Sequence, residues 1–356
     1  MGEEQDQGMS KTIPMTPFLK EVSEQPEYLL KLAAFYRGRG RARLDEWARL
    51  ARAQRRVVFA GMGTSEFASG TILSALARQG IDADPRDAGE WLHYHRSQAG
   101  LAVLISQSGE SVEISRLADQ LRNKTDLVAI TNNESSSLAK AAGLVLPLVA
   151  GSETAISTKT YVNTLAVLYL MARVLESPSA LAEGLACLEK AAAAMRDVDL
   201  AAVKQAADLL ADTGVIHFVA RGPAVTAARQ TALTFMEGAR LTTAAHTGGA
   251  FRHGPFELAD ANLRCVFFIP EGPTRRLVEA MAAEVLEKGG RVVVITDAAV
   301  DLRETQVRVL RVPACGEDLF PLAAAAIQAH LLDAVAGARG LEAGCFRYGQ
   351  KITARE

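Results

Sequence analysis

The chain has 356 residues, enough for about two domains and for a large buried core without disulfide support. Its 49% hydrophobic and 22% charged residues are globular values that exclude a disordered or low-complexity protein. Lys plus Arg total 39 against 41 Asp plus Glu, a formal charge of -2; no basic excess exists to neutralise a phosphate backbone, and nucleic acid is not an expected partner.

Residues 1–25 are acidic where a secretory signal needs a basic stretch followed by an apolar run, and they read as a disordered leader. Residues 26–54 predict two amphipathic helices, from Pro26 to Ala53, joined near Gly38 to Gly40. From residue 55, valine-rich runs alternate with Ala/Leu-rich stretches of helical spacing, as in a parallel α/β sheet. The predicted strands of a first domain, 55–176, are Val57 to Ala60, Leu101 to Ile105, Leu127 to Ile130 and Leu144 to Val149, closed by a helix from Thr160 to Leu175. Residues 177–212 lack a strand pattern and predict one or two connecting helices. A second domain, 213–340, repeats the plan with Val215 to Val219, Arg264 to Ile269, Arg291 to Ile295 and Val307 to Val312, closed by a helix from Pro321 to Ala336. Corresponding strands lie about 160 residues apart, a constant offset that predicts two tandem doubly wound parallel-sheet domains from an internal duplication. Residues 341–356 form a C-terminal arm without periodicity.

No apolar run reaches the ~20 residues of a membrane span, so no membrane partner is expected. Cys187, Cys265, Cys315 and Cys345 are scattered, without metal-ligand spacing or the density of a secreted disulfide scaffold. A reducing, cytoplasmic setting is expected, with no metal and no cofactor.

In an open parallel sheet, ligands bind beyond the carboxyl ends of the strands, where backbone N–H groups at helix N-termini favour anions. The loop after the first strand contains Gly63, Thr64 and Ser65. The loop after the second strand, Ser106, Gln107, Ser108, Gly109, Glu110, Ser111, places three hydroxyls and an amide within six residues, with Glu110 expected to start a helix. A third loop, from Gly151 to Lys159, carries Ser157 and opens the closing helix. Each alone is an ordinary capped turn. Three on one sheet edge point to a phosphorylated small molecule, since neither a dinucleotide glycine pattern nor a Walker lysine is present. The matching loops of the second half have lost these hydroxyls; that half offers instead Glu237, on the helix after its first strand, and His253 in Phe251, Arg252, His253, Gly254, Pro255. A carboxylate and an imidazole suit proton transfer next to a carbonyl. A lone Glu on a helix is more often a solvated surface group. His93, His95, His217, His246 and His330 show no ligand spacing and read as structural or surface groups.

The GTS loop, the SQSGES loop and the STK segment, followed by a second copy with a Glu and an HGP motif, resemble sugar isomerase (SIS) domain proteins over roughly Pro26 to Glu356. The isomerase half of glucosamine-fructose-6-phosphate aminotransferases and the tandem-SIS sugar isomerases and deaminases are similar. The resemblance implies a flavodoxin-like SIS fold, phosphate binding at Ser65, Ser106, Gln107, Ser108 and Ser111, and Ser157 near the sugar. It further implies Glu237 as enolisation base and His253 as a ring-opening group reaching the site from the partner of a homodimer. Lys351, five residues before the chain end, falls on the family's Schiff-base lysine. A lysine on a C-terminal arm can cover the phosphate loops and attack a ketose carbonyl when deprotonated.

The sequence departs from the aminotransferases in two places. About 55 residues precede the first strand and residue two is Gly2, so no glutaminase half is expected and glutamine is not an expected donor in cis. Thr234 stands where those enzymes have a lysine one turn before the base. The expected activity is aldose–ketose isomerisation of a hexose or hexosamine 6-phosphate through an enediol or enolamine. The alternatives are an amino-sugar-phosphate deaminase or deglycase, and a sugar-phosphate sensor without turnover, which would have no need of Glu237, His253 and Lys351.

Overall fold

The computed structural model describes residues 15–95, 100–154, 156–303 and 305–348. Two helices come first, α1 (Pro17–Arg37) and α2 (Arg41–Gln54). The first domain then runs β1 (Arg56–Gly61), α3 (Thr64–Ser69), α4 (Leu73–Arg78), β2 (Asp82–Asp87), α5 (Ala88–Tyr94), β3 (Leu101–Ile105), α6 (Val112–Leu121), β4 (Asp126–Thr131), α7 (Ser137–Ala141), β5 (Leu144–Pro147) and α8 (Lys159–Glu176). Helices α9 (Pro178–Ala194) and α10 (Leu200–Leu210) connect it to the second. That domain runs β6 (Val215–Ala220), α11 (Val225–Ala239), β7 (Thr242–Thr247), α12 (Gly248–Arg252), β8 (Arg264–Ile269), α13 (Arg275–Glu287), β9 (Arg291–Thr296), β10 (Val307–Arg311), α14 (Phe320–Ala323) and α15 (Ala325–Ala338).

Each domain is built on a five-stranded sheet whose strand pairs are all parallel, in the orders β2-β1-β3-β4-β5 and β10-β9-β8-β6-β7. The chain reverses its direction of travel across the sheet between β1 and β3, and between β6 and β8, and the crevice at such a reversal is where open α/β sheets take ligands. Central strands are buried on both faces, which is why they read as continuous Val/Ile/Leu runs.

The strand expectations located four strands per sheet and missed β2 and β7. Both are edge strands; Asp82, Asp84, Pro85, Arg86 and Asp87 make β2 polar, and Thr242, Thr243, His246 and Thr247 do the same for β7. An edge strand with one covered face needs no apolar run, and a proline is tolerated there. The leader boundary at residue 25 also needs correction. Thr16 caps α1 by accepting the Leu19 N–H at 3.2 Å, Pro17 occupies the first turn, and Pro26 lies inside the helix. Helix α6 begins at Val112 with Ser111 as N-cap, so Glu110 stands outside it.

Helix α1 serves both domains. Leu29, Leu32, Ala33 and Tyr36 join the core between α8 and the first sheet, while Phe18 and Val22 join the core beneath the second. It packs against α8, α9 and α15. Among the described residues no helix is long and apolar enough to cross a membrane.

Candidate functional site

Backbone geometry builds the two phosphate-type loops first. Ser106 Oγ accepts the Gly109 N–H at 3.1 Å and Ser108 Oγ accepts the Glu110 N–H at 3.2 Å. Both hydroxyl protons therefore remain for a ligand. Gly109 has φ +68 and runs so close to Ser136 that a Cβ would lie 2.2 Å from Ser136 Oγ, so only glycine fits. Glu110 turns away and accepts Ser137 N at 2.9 Å and Ser137 Oγ at 2.8 Å, tying the loop to α7. Those hydrogen bonds hold the Glu110 carboxyl below its ordinary range. Ser111 caps α6 by position, without a side-chain cap hydrogen bond, so its hydroxyl stays with the helix N-terminus and its positive dipole end.

A network of carboxylates shapes the segment that carries Ser157. Glu153 accepts Thr158 N at 2.9 Å, Thr158 Oγ1 at 3.0 Å, Thr160 N at 3.1 Å and Thr160 Oγ1 at 2.5 Å, capping the N-terminus of α8. Glu21 of α1 accepts Thr154 N at 2.7 Å and Thr154 Oγ1 at 2.9 Å. The buried Lys159 ammonium donates to Glu24 Oε2 at 2.5 Å and to Ser152 O at 2.7 Å. The first helix of the chain thereby fastens this loop.

Helix α11 brings in the second domain. Thr226 Oγ1 donates to Phe67 O at 2.9 Å and Arg229 lies 3.8 Å from Glu66, docking α11 on α3. Desolvation raises the Glu66 carboxyl above its usual range. Leu233 and Glu237, one turn apart on one face of α11, then share a cavity of about 270 Å³ with the first-domain loops. Gly63, Thr64, Ser65, Ser106, Gln107, Ser108, Ser111 and Ser157 all line it. Its described lining contains no Lys or Arg, so an anion there meets hydroxyls, amides and a helix N-terminus.

Two sequence candidates stand apart. His253 is exposed at the end of α12 and does not line this cavity within one chain. Lys351 lies outside the described residues. The C-terminal arm does reach the site, because Phe346 lines the cavity while packing partly against the second core. Neither Phe346 nor Leu233 was singled out in the sequence; an aromatic in an aperiodic tail and a lone leucine in an alanine-rich helix carry no distinguishing pattern. Glu21 and Glu153 escaped for a similar reason, since their partners lie on other elements or are backbone groups. Among the described residues no His/Cys/Asp/Glu group could hold a metal ion.

Comparison with known proteins bears on the fold and the family. The chain is 29% identical over 315 residues to the isomerizing glutamine–fructose-6-phosphate aminotransferase of Pyrobaculum aerophilum, an alignment covering 85% of this chain and 52% of that protein. It thus spans about half the length of that relative. The C-terminal domain of glucosamine-fructose-6-phosphate aminotransferase from Francisella tularensis superposes with a TM-score of 0.84 at 22% identity, covering 94% of this chain and 99% of that one. Tagatose-6-phosphate ketose/aldose isomerase from Escherichia coli gives a TM-score of 0.77 at 19% identity, covering 91% and 93%. The SIS domain profile matches residues 50–174 and 209–311, one segment per sheet, and the chain belongs to the SIS domain family.

Proposed function

We propose that the protein is a phosphosugar isomerase that interconverts the aldose and ketose forms of a hexose or hexosamine 6-phosphate. The observation that carries this reading is the meeting, in one cavity, of the first domain's hydroxyl loops with Glu237 from the second. Ser106, Ser108 and Ser111, with the N-terminus of α6, bind the phosphate. That anchors the substrate so that its carbonyl end points toward α11. Glu237 removes the proton from the carbon next to the carbonyl as the carbonyl oxygen takes up a proton from solvent, an enediol or enolamine forms, and the same carboxyl returns its proton to the former carbonyl carbon as the neighbouring hydroxyl or amine gives one up to solvent. Ser157 contacts the sugar. His253, supplied by the partner of a homodimer, assists ring opening, and Lys351 condenses with a ketose carbonyl when the reaction runs through an imine.

Deamination of an amino-sugar phosphate is the second reading. It is favoured by Thr234, which replaces the aminotransferase lysine and turns its hydroxyl to Gln230 O at 3.1 Å and Thr231 O at 3.2 Å, away from the cavity. The test is to incubate the purified protein with a panel of hexose and hexosamine 6-phosphates, following both ketose formation and ammonia release. Ketose without ammonia supports isomerisation, ammonia supports deamination, and binding with neither product identifies a sensor.

A further inference from the structure

Behind the substrate cavity, where the two domains meet, is a second and smaller one lined by Gln25 of α1, Tyr161 of α8, Gln230 and Thr234 of α11, and Gln328 of α15. It offers about 20 Å³ to the centre of a water-sized sphere, enough for one water molecule and too little for a substrate. Its walls include apolar Phe18, Ile156 and Leu332, and the polar side chains among them are deeply buried: Gln25 and Gln230 are 2% exposed, Tyr161 3% and Gln328 5%. Gln25 Oε1, both amide atoms of Gln230, Gln328 Nε2 and Tyr161 Oη find no hydrogen-bond partner among the described residues. Buried polar groups are satisfied in nearly all folded proteins, and leucine at these positions would have filled the space without that need. Acceptors and donors from four separate helices converge on a volume that fits one small molecule able both to donate and to accept.

The position of the cavity gives it a role. Ser157 lines both this cavity and the substrate cavity, and its hydroxyl makes no hydrogen bond among the described residues. On α11 the faces are divided: Leu233 and Glu237 look into the substrate cavity, while Gln230 and Thr234, also one turn apart, look into the rear one. We propose that the rear cavity is a binding site for a single buried water molecule held by Gln25, Gln230 and Gln328, and that this water fixes the Ser157 wall of the substrate cavity. The three glutamines are then positioning residues for the sugar, acting through Ser157, and the phosphate loops are independent of them. The positioning role rests on reading the larger cavity as a sugar-phosphate site; the water site does not.

The experiment has two arms on the full-length protein. A crystal structure that shows ordered water is expected to place one density peak within about 3.2 Å of at least two of the three amides. Direct amide-to-amide bonding with no peak would overturn the water site. In the second arm, calorimetry reads glucosamine 6-phosphate and inorganic phosphate separately for Gln230→Met and Gln328→Met, which keep bulk and remove hydrogen bonding. Each variant is expected to weaken the sugar phosphate about tenfold and inorganic phosphate by less than about twofold. Unchanged sugar-phosphate affinity, or equal weakening of both ligands, would overturn the positioning role. Should one variant fail to fold, the other lies on a different helix and decides. If the unaltered protein binds no sugar phosphate, the functional reading fails with the positioning role, and the density peak still decides the water site.

Discussion

Ser108 keeps its hydroxyl proton because its oxygen already accepts the Glu110 N–H. Ser108→Ala is therefore expected to remove one charge-assisted hydrogen bond to the phosphate and weaken sugar-phosphate binding by about 1.5 to 3 kcal/mol, measured by calorimetry. Glu237→Gln keeps shape and removes basicity. The substrate should bind the variant nearly as before while turnover falls by about 100-fold or more, the scale of a lost positioned base. Unchanged kcat in Glu237→Gln would move the base elsewhere and take enolisation with it. Gly109→Ala tests the loop itself. Its φ of +68 and the approach of Ser136 should cost about 1 to 3 kcal/mol of stability in urea unfolding, with loss of phosphate affinity. Ser108 and Gly109 were legible in the sequence because a hydroxyl-dense loop and a glycine turn are local patterns, whereas Glu237 took its role from the resemblance. Glu153 and Phe346 were not, since what each contacts is decided by the fold.

At the level of elements, β6 and β7 carry a pair that the sequence offered only as structural histidines. His217 Nδ1 and His246 Nε2 are 3.1 Å apart, with the rings stacked at 5.3 Å beside Phe251. One nitrogen donates and the other accepts, which requires the accepting ring to be neutral and forbids both rings from being charged across the contact. Burial lowers both pKa values, with the His246 charge adding to the effect on His217. Because protonation favours the unfolded chain, their contribution is complete above the ordinary histidine range, about pH 6.5, and is lost as pH falls through the depressed folded values. His246→Gln should flatten the acid limb of the melting-temperature profile below about pH 6.5; an unchanged limb would show that the pair does not titrate there. The same strand β7, with β2, shows why the sequence reading gave four strands per sheet. Hydrophobic runs report burial, and β2 and β7 bury no residue fully, whereas the opposite edges β5 and β10 keep buried Leu and Val and were read.

For the whole molecule, the duplication was readable from the near-constant strand spacing, whereas the division of labour between the copies was readable only in part. The first copy holds the hydroxyl loops, the second presents Glu237 to the same cavity, and α1 with α11 ties the two copies together. His253, exposed and outside its own chain's cavity, belongs in this scheme to a partner subunit. Glu237→Gln and His253→Ala proteins, each inactive alone, are expected to regain about a quarter to a half of the unaltered activity after mixing and subunit exchange, because some hybrid sites then contain both wild-type groups. Mixing that restores nothing, with both variants folded and exchange verified, would place His253 and Glu237 in one chain's site or remove His253 from the chemistry.

The straddling of both cores by α1 also has a consequence for how the protein is made. This helix is synthesised before either sheet, yet Phe18 and Val22 belong to the second domain's core and the helix packs against α15. Contacts so distant in sequence form late, after most loop-closure entropy has been overcome. Glu21 on the same helix holds Thr154, so the helix that reaches the late α15 also fastens the Ser157 segment. A nascent chain paused at residue 324 would already carry both hydroxyl loops and Glu237, and would still lack a finished cavity.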